Sequence, residues 1–319
     1  MAFEKRKMMV ALLSIFSNAF LVAGKLIVGF LIGSVSVISE AIHSGVDLLA
    51  SIIAFLAVRS SGKPADDQHP YGHGKWENIS GAVEALLIFV AAGWIIYESI
   101  HKLLHPADLP QAGLGVVLML ISATMNLIVS HFLFKVGEQT ESMALLADGW
   151  HLRTDVYTSL GVMVGLGFIW LGGFLFKDIN LLWLDPLVAM AVAVLILRAA
   201  WKLVRDSLRD LLDESLPAPE QEWISNRVRE LQPAVRSYHK LRTRRSGATR
   251  FIDLHLVVDP RMTVENSHQI SHQLAAEIRA HFPDSSVIAH IEPCDGRCPK
   301  MCVDSCLLSP SERATIQTK

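Results

Sequence analysis

Along residues 1–206 the hydrophobic positions form runs too long and continuous for one stripe of a surface helix. A membrane-spanning helix needs roughly 20 mainly apolar residues, because the hydrocarbon core is ~30 Å thick and each helical residue rises ~1.5 Å. Six stretches meet this requirement: about Met8 to Ile32, Val35 to Val58, Ile79 to Ile100, Ala112 to Phe134, Ser142 to Trp170 and Leu184 to Val204. The first is too long for a signal peptide and runs into GFLIGSVSVISE without a small-residue cleavage site, so it is expected to stay in the protein.

From about Leu211 the pattern changes. Pro217 and Pro219 end the sixth apolar run, and the acidic residues of DESLPAPEQEW suit a helix start. Trp223 to Leu231 reads as an amphipathic helix. Strand signals follow at Tyr238 to Arg245 and Arg250 to Val258, divided at Ser246-Gly247 as in a hairpin. In FIDLHLVVD the alternation puts Phe251, Asp253, His255 and Val257 on one face, and Ile252, Leu254, Leu256 and Val258 on the other. A helix at about Thr263 to His281 and a strand at Ser286 to Ile291 complete an α-β-β-α-β order. This predicts a small α+β domain with its helices on one side of a sheet.

Composition sharpens this division. Over 319 residues, 51% are hydrophobic and 19% charged, with a net charge of -2, and the mean hydropathy is +0.36. This excludes a disordered chain and a nucleic-acid binder acting through bulk basicity. Of the charged residues, 30 fall in residues 1–206 and 30 in residues 207–319, so a membrane-like part precedes a water-soluble one. Lys and Arg in short loops favour the cytoplasm. With the N-terminus inside, the cytoplasmic segments hold Lys5, Arg6, Lys7, Arg59, Lys63, Lys75, Lys135, Lys202 and Arg205, against Lys102 and Lys177 outside. Both termini and the polar domain are therefore expected in the cytoplasm.

Ionisable groups inside spans are costly in lipid and are functional candidates. Span two reads SEAIHSGVDLLAS and span five LADGWHLRTDVYTS. Each contains an acidic residue, two residues, His, three residues, Asp: Glu40, His43 and Asp47, then Asp148, His151 and Asp155. Residues i and i+4 share a helix face, so each pair presents an imidazole beside a carboxylate. Facing each other, the two pairs would offer two nitrogens and two oxygens, which suits a tetrahedral divalent ion and zinc in particular. Intramembrane His and Asp could instead form a hydrogen-bonded helix pair. Because spans two and five run in opposite directions, the shared pattern also fits an inverted 3+3 repeat. Glu40 and Asp148 are candidates for supporting or gating groups, or for solvated helix ends. Lys25, Glu84 and Arg153 read as charge-pairing groups.

Between spans two and three, RSSGKPADDQHPYGHGKWEN offers Asp66, His69 and His73 on a Gly- and Pro-rich loop that could fold round an ion or remain solvated. In the polar domain, His239 and His255 fall on adjacent predicted strands, His268 opens a helix, and His290 and Glu292 share a face of the last strand. The four cysteines, Cys294, Cys298, Cys302 and Cys306, sit at C-x3-C spacing in the tail. Disulfides are unfavoured in a reducing cytoplasm, which leaves a thiolate metal site or a redox-active or flexible tail.

The loop PADDQHPYGHGKWENIS, the paired HxxxD motifs, HKLRTRRSGATRFIDLHLVVD and VIAHIEPC together resemble the cation diffusion facilitator family of divalent-metal exporters, over about residues 8 to 293. The resemblance implies a homodimer of six-span protomers with a cytoplasmic ferredoxin-like domain, exchanging Zn²⁺ or related ions for protons. It places the transport site on His43, Asp47, His151 and Asp155, an interfacial metal site on Asp66, His69 and His73, and a binuclear site on His239, His255, His268, His290 and Glu292. Glu292 stands where other members can carry Asp, and His43 in place of Asp is associated with zinc preference. His272 and His281 match no ligand position.

The expectation is a six-helix transport domain (1–210), a cytoplasmic metal-binding dimerisation domain (211–293) and a flexible cysteine tail (294–319). The chain would be a multi-pass protein of the inner membrane that exports Zn²⁺, or Cd²⁺ or Co²⁺, against protons. Zn²⁺ would be both substrate and regulatory ligand, with no organic cofactor. The alternative is a membrane-anchored metal sensor or buffer. Enzyme activity is not expected, and no HExxH helix of a metalloprotease occurs.

Overall fold

The computed structural model describes residues 2–32, 35–104, 113–157, 160 and 184–317. Two compact units divide the chain, Met1–Arg209 and Asp210–Lys319. The first is helical: α1 (Ala2–Ile32), α2 (Val35–Ser61), α3 (Lys75–Leu104), α4 (Gly113–Gln139), α5 (143–157) and α6 (Leu184–Leu211), the last running across the division. Among the described residues, four stretches are long and apolar enough to cross a membrane: Glu4–Val28, Lys75–His101, Leu120–Gln139 and Pro186–Leu211. The C-terminal part of the expected fifth span lies outside the described residues.

Two apolar clusters hold the helices together, and α5 contributes to both. Leu145 and Leu152 pack with Ala11 of α1, Ala54 and Val58 of α2, and Val129 and Leu133 of α4. Ala147 packs with Ala85 and Ile88 of α3, and Ile196 and Ala200 of α6. The many alanines allow the backbones to approach closely, as membrane helices need where lipid offers no hydrophobic drive to associate. Large apolar side chains point outward instead, with Phe16, Phe20, Trp94 and Leu195 all more than 60% exposed. An apolar outer surface over a core that contains Ser14, Ser51, Asn18 and Asp47 suits lipid as solvent.

The second unit runs α7 (Ala218–Arg229), β1 (Val235–Ser246), β2 (Thr249–Val258), α8 (Val264–His281) and β3 (Ser285–Pro293), followed by two short helices, α9 (Lys300–Asp304) and α10 (Pro310–Gln317). The α-β-β-α-β order read from the sequence is present. The sheet order is β1-β2-β3, with β1 and β2 antiparallel and β2 and β3 parallel. Ser246 pairs with Thr249 across a two-residue turn whose Gly247 has φ +58°, a left-handed conformation that such turns require and glycine supplies at little cost. Thr263 caps α8 by accepting the Asn266 N–H at 3.2 Å. Ile252, Leu254 and Leu256 of β2 bury their side chains against Ile224 and Val228 of α7 and Leu274 and Ile278 of α8. The alternate residues, including His255, therefore occupy the face away from α7 and α8.

Residues of the cysteine-containing tail meet this unit. Leu307 packs against the core of this unit, its N–H donates to the Arg236 carbonyl at 2.9 Å, and Cys306 forms a β-bridge with Ser237. The single Ser237 hydroxyl proton is shared between the carbonyls of Cys302 at 2.9 Å and Ser305 at 3.1 Å. β1 is an edge strand of the sheet, and Cys306 and Leu307 pair with part of its outer edge.

Candidate metal centres

Three groups of ligand-type side chains converge, each with its donor atoms within 4.8 Å of one another: Asp47, His151 and Asp155; Asp66, His69 and His73; His239, His255 and Glu292. Each is a subset of the residues read from the sequence.

The first group lies inside the helical unit. Asp47 is 5% exposed on α2, and His151 is 6% exposed on α5. Because α5 is helical through residues 151–155, Asp155 falls one turn beyond His151 on the same face. His151 Nε2 lies 3.0 Å from Asp47 Oδ1, and Asn126 of α4 donates to Asp155 Oδ2 at 3.5 Å. His151 Nδ1 is buried without a hydrogen-bond partner. One imidazole and two carboxylates in a water-poor setting suit a divalent ion of zinc type. The expected fourth ligand, His43, lies on α2 one turn before Asp47, and its side chain lies outside the described residues, as does that of Glu40.

A polar chain adjoins this group. Asn18 donates to Ser51 Oγ at 2.8 Å, and Ser51 donates to Asp148 Oδ1 at 3.0 Å. Asp148 is fully buried rather than a solvated helix end, and its second carboxylate oxygen has no hydrogen-bond partner. Glu84 of α3 is also fully buried and accepts from Ser80 at 3.1 Å. The Lys25 ammonium donates to Ser44 at 2.7 Å, while the Arg153 guanidinium lies 5.6 Å from the centre of the Phe134 ring. Asn126, Asn18 and Ser51 belong to no spacing motif in the sequence. Their only advance signal was being polar within apolar runs.

The loop group is built by local turns. The Asp66 carboxylate accepts the backbone N–H groups of His69 at 2.7 Å and Gln68 at 3.0 Å. Those bonds, the His69 N–H first, hold its carboxyl below the usual range. Gly72, at φ +81°, turns the chain after His69 and its N–H donates to the His69 carbonyl at 2.9 Å. His73 is thereby returned to Asp66, with Nε2 3.4 Å from Oδ2, while His69 Nδ1 lies 3.5 Å from Oδ1. Asp66 and His69 are exposed, whereas His73 is buried with an unpartnered Nδ1.

The third group spans the sheet. The register aligns His239 with His255 and His255 with His290, with Glu292 two residues along β3. One extra residue in β1 between His239 and Arg242 makes a bulge, with Lys240 at φ +51°, a device that re-aims side chains. His255 Nδ1 approaches Glu292 Oε1 at 2.6 Å and His239 Nε2 approaches Oε2 at 3.0 Å. Partial burial works to raise the Glu292 carboxyl, but the His255 hydrogen bond and the neighbouring histidines prevail and hold it below its ordinary range. His290 is adjacent but more open: its ring lies 4.7 Å from that of His255, and its Nε2 3.8 Å from Glu292. His268 is not part of the converged group; it lies on α8 with its ring 6.2 Å from that of His272. His281 stacks on Trp223 at 4.0 Å, a packing role.

The comparisons bring these features together. Residues 11–212 match the profile of the cation efflux transmembrane domain, and residues 216–294 that of the cation efflux protein cytoplasmic domain. The chain belongs to the cation diffusion facilitator family. It is a membrane cation-efflux transporter, of a family of transporters rather than enzymes. An uncharacterized transporter of Synechocystis sp. is 36% identical over 261 residues, covering 82% of each chain. The cation-efflux pump FieF of Citrobacter koseri is 34% identical over 264 residues, 82% of this chain and 84% of the relative. Among solved structures, the Zn form of the CzrB transporter is 33% identical over 27% of this chain and 99% of that one, with a TM-score of 0.25. The metal-bound C-terminal domain of the CzcD transporter from Thermotoga maritima is 28% identical over 24% of this chain and 94% of that one, with a TM-score of 0.23.

Proposed function

We propose that this protein exports Zn²⁺ from the cytoplasm in exchange for protons, with Cd²⁺ or Co²⁺ as further substrates. The observation that carries the reading is the convergence of Asp47, His151 and Asp155 within the membrane unit. Buried ionisable groups are costly there unless a partner or substrate compensates. A neutral imidazole and ionised carboxylates bind Zn²⁺, while a protonated imidazole has no lone pair for it. A proton arriving from outside at His151 therefore releases the ion outward, and loss of that proton inside restores the site. His43, as the fourth ligand, would complete a two-nitrogen, two-oxygen set.

In this reading six spans place both termini in the cytoplasm at the inner membrane, and the Asp66, His69 and His73 loop holds a second ion. The ferredoxin-like cytoplasmic domains pair in a homodimer. Metal bound at His239, His255 and Glu292, with His290 beside them and His268 brought in by a rearrangement, clamps the domains and biases the dimer toward transport. The unpartnered Nδ1 atoms of His73 and His239 and the acid–imidazole donor sets fit such ions.

The test is a reconstituted vesicle carrying a zinc-sensitive dye inside. Imposing a pH gradient should drive Zn²⁺ accumulation, and a protonophore should abolish it. Zinc movement that ignores the gradient would overturn the exchange, and binding without movement would support a membrane-anchored sensor or buffer instead.

A further inference from the structure

The cysteine segment gains a context that its spacing does not give. After β3, the Cys294 N–H donates to the Val258 carbonyl at 2.9 Å, extending the strand pairing by one residue. The Asp295 side chain then accepts the Arg297 N–H at 3.0 Å, Gly296 has φ +78°, and Cys298 has φ +45°. A non-glycine residue in the left-handed region costs of order 1 kcal/mol and persists where its surroundings require it. The loop reverses, and the bonds to Ser237 hold residues 302–306 at the edge of β1. As a result, Cys294, Cys298 and Cys302 line one cavity of about 400 Å³ together with His239 and Glu292. Cys306 lies beside this cavity, because the Cys302 carbonyl and the Cys306 β-bridge both meet Ser237. All four thiols are free and partly buried, and His239, which lines the cavity, has a buried Nδ1 without a hydrogen-bond partner.

We propose that Cys294, Cys298, Cys302 and Cys306 form a separate thiolate site for a thiophilic divalent ion, sharing the His239 and Glu292 wall with the nitrogen–oxygen centre on the sheet. Four sulfurs suit Zn²⁺ or Cd²⁺ and discriminate against Mg²⁺ and Mn²⁺. Each thiol releases its proton to solvent as it ligates. The thiols are less tightly gathered than the three groups above, so binding draws the 294–302 loop inward and fixes the tail on β1. This inference is independent of the transport reading, because it needs only the folded cytoplasmic unit.

The experiment titrates full-length, reduced, detergent-purified protein with Cd²⁺ in oxygen-free buffer. The ultraviolet thiolate-to-metal charge-transfer band is followed, to which imidazole and carboxylate sites are silent. The band should saturate at one Cd²⁺ per protomer, be lost in C298S/C302S, and survive in His255→Ala. A separate count with a thiol reagent should find four reactive thiols without metal and at least a fivefold slower reaction with Cd²⁺ bound, which tests the site even where a double variant folds poorly. Absence of the band, its persistence in C298S/C302S, its loss in His255→Ala, or thiols already paired as disulfides after reduction would each overturn the proposal.

Discussion

Glu77 offers a quantitative test of how the helical unit holds its loop. Its side chain is 1% exposed and accepts from donors on three other segments: Lys7 Nζ at 3.1 Å, the Ser61 hydroxyl at 2.7 Å, and the Ser142 hydroxyl. Ser61 ends α2 and Glu77 opens α3, so the bond between them pins both ends of the segment that carries Asp66, His69 and His73. Glu77→Gln keeps the volume and removes the charge. Breaking a buried ion pair by removing one partner costs roughly 3–5 kcal/mol. The Lys7 ammonium, itself 5% exposed, keeps the half-exposed Glu4 carboxylate at 3.4 Å, which offsets part of that cost and leaves about 3 kcal/mol. In Lys7→Met/Glu77→Gln no uncompensated charge remains, so the double variant should be at least ~1.5 kcal/mol more stable than the two single effects summed. A double-mutant cycle from thermal denaturation in detergent micelles measures this. Additivity within ~0.5 kcal/mol would refute the reasoning.

Other consequences follow from the same geometry. Leu254→Ala, at a side chain 1% exposed in the sheet core, should cost about 3 kcal/mol in urea denaturation of the cytoplasmic unit; a cost below ~1 kcal/mol would contradict the packing described. The Arg261 N–H and then the Arg236 charge hold the Asp259 carboxyl below its ordinary 3.8, so its stabilisation is present above that pH and lost as pH falls through the lowered value. The stability gap between wild type and Asp259→Asn should therefore be flat near neutrality and close below pH 3.8, and a gap that widens on acidification would reverse the sign. Glu292→Gln, which leaves His239 and His255 without their shared carboxylate, should weaken Zn²⁺ binding at the sheet by at least ~10-fold in calorimetry. Unchanged affinity would remove Glu292 from that centre.

Much of the candidate chemistry was legible in the sequence because helical spacing translates directly into geometry. An i, i+4 pair such as His151 and Asp155 must share a face, and the β alternation that buries Leu254 and Leu256 must present His255 on the opposite side. Spacing does not say which third element approaches. Asn126 reaches Asp155 from α4, and Ser51 links Asn18 of α1 to Asp148 of α5, through packing that single polar residues in apolar runs do not announce. Spacing alone fits Asp148 equally well to a solvated helix end, whereas packing between the helices buries it fully. The tail was unreadable for another reason. Its docking depends on an unsatisfied strand edge and on Leu307 finding the core, neither of which leaves a periodic pattern in residues 294–319. His268 shows the converse limit, since a resemblance by position did not bring it into the group formed by His239, His255 and Glu292.

If Asp47, His151 and Asp155 carry the transported ion, proteoliposome flux reveals it most directly. With equal amounts of folded protein reconstituted, wild type should accumulate Zn²⁺ under an imposed pH gradient. Asp47→Ala and Asp155→Ala should each fall to the rate of protein-free vesicles, while Cys306→Ser should retain wild-type flux. Zinc accumulation that persists in both aspartate variants would contradict the account.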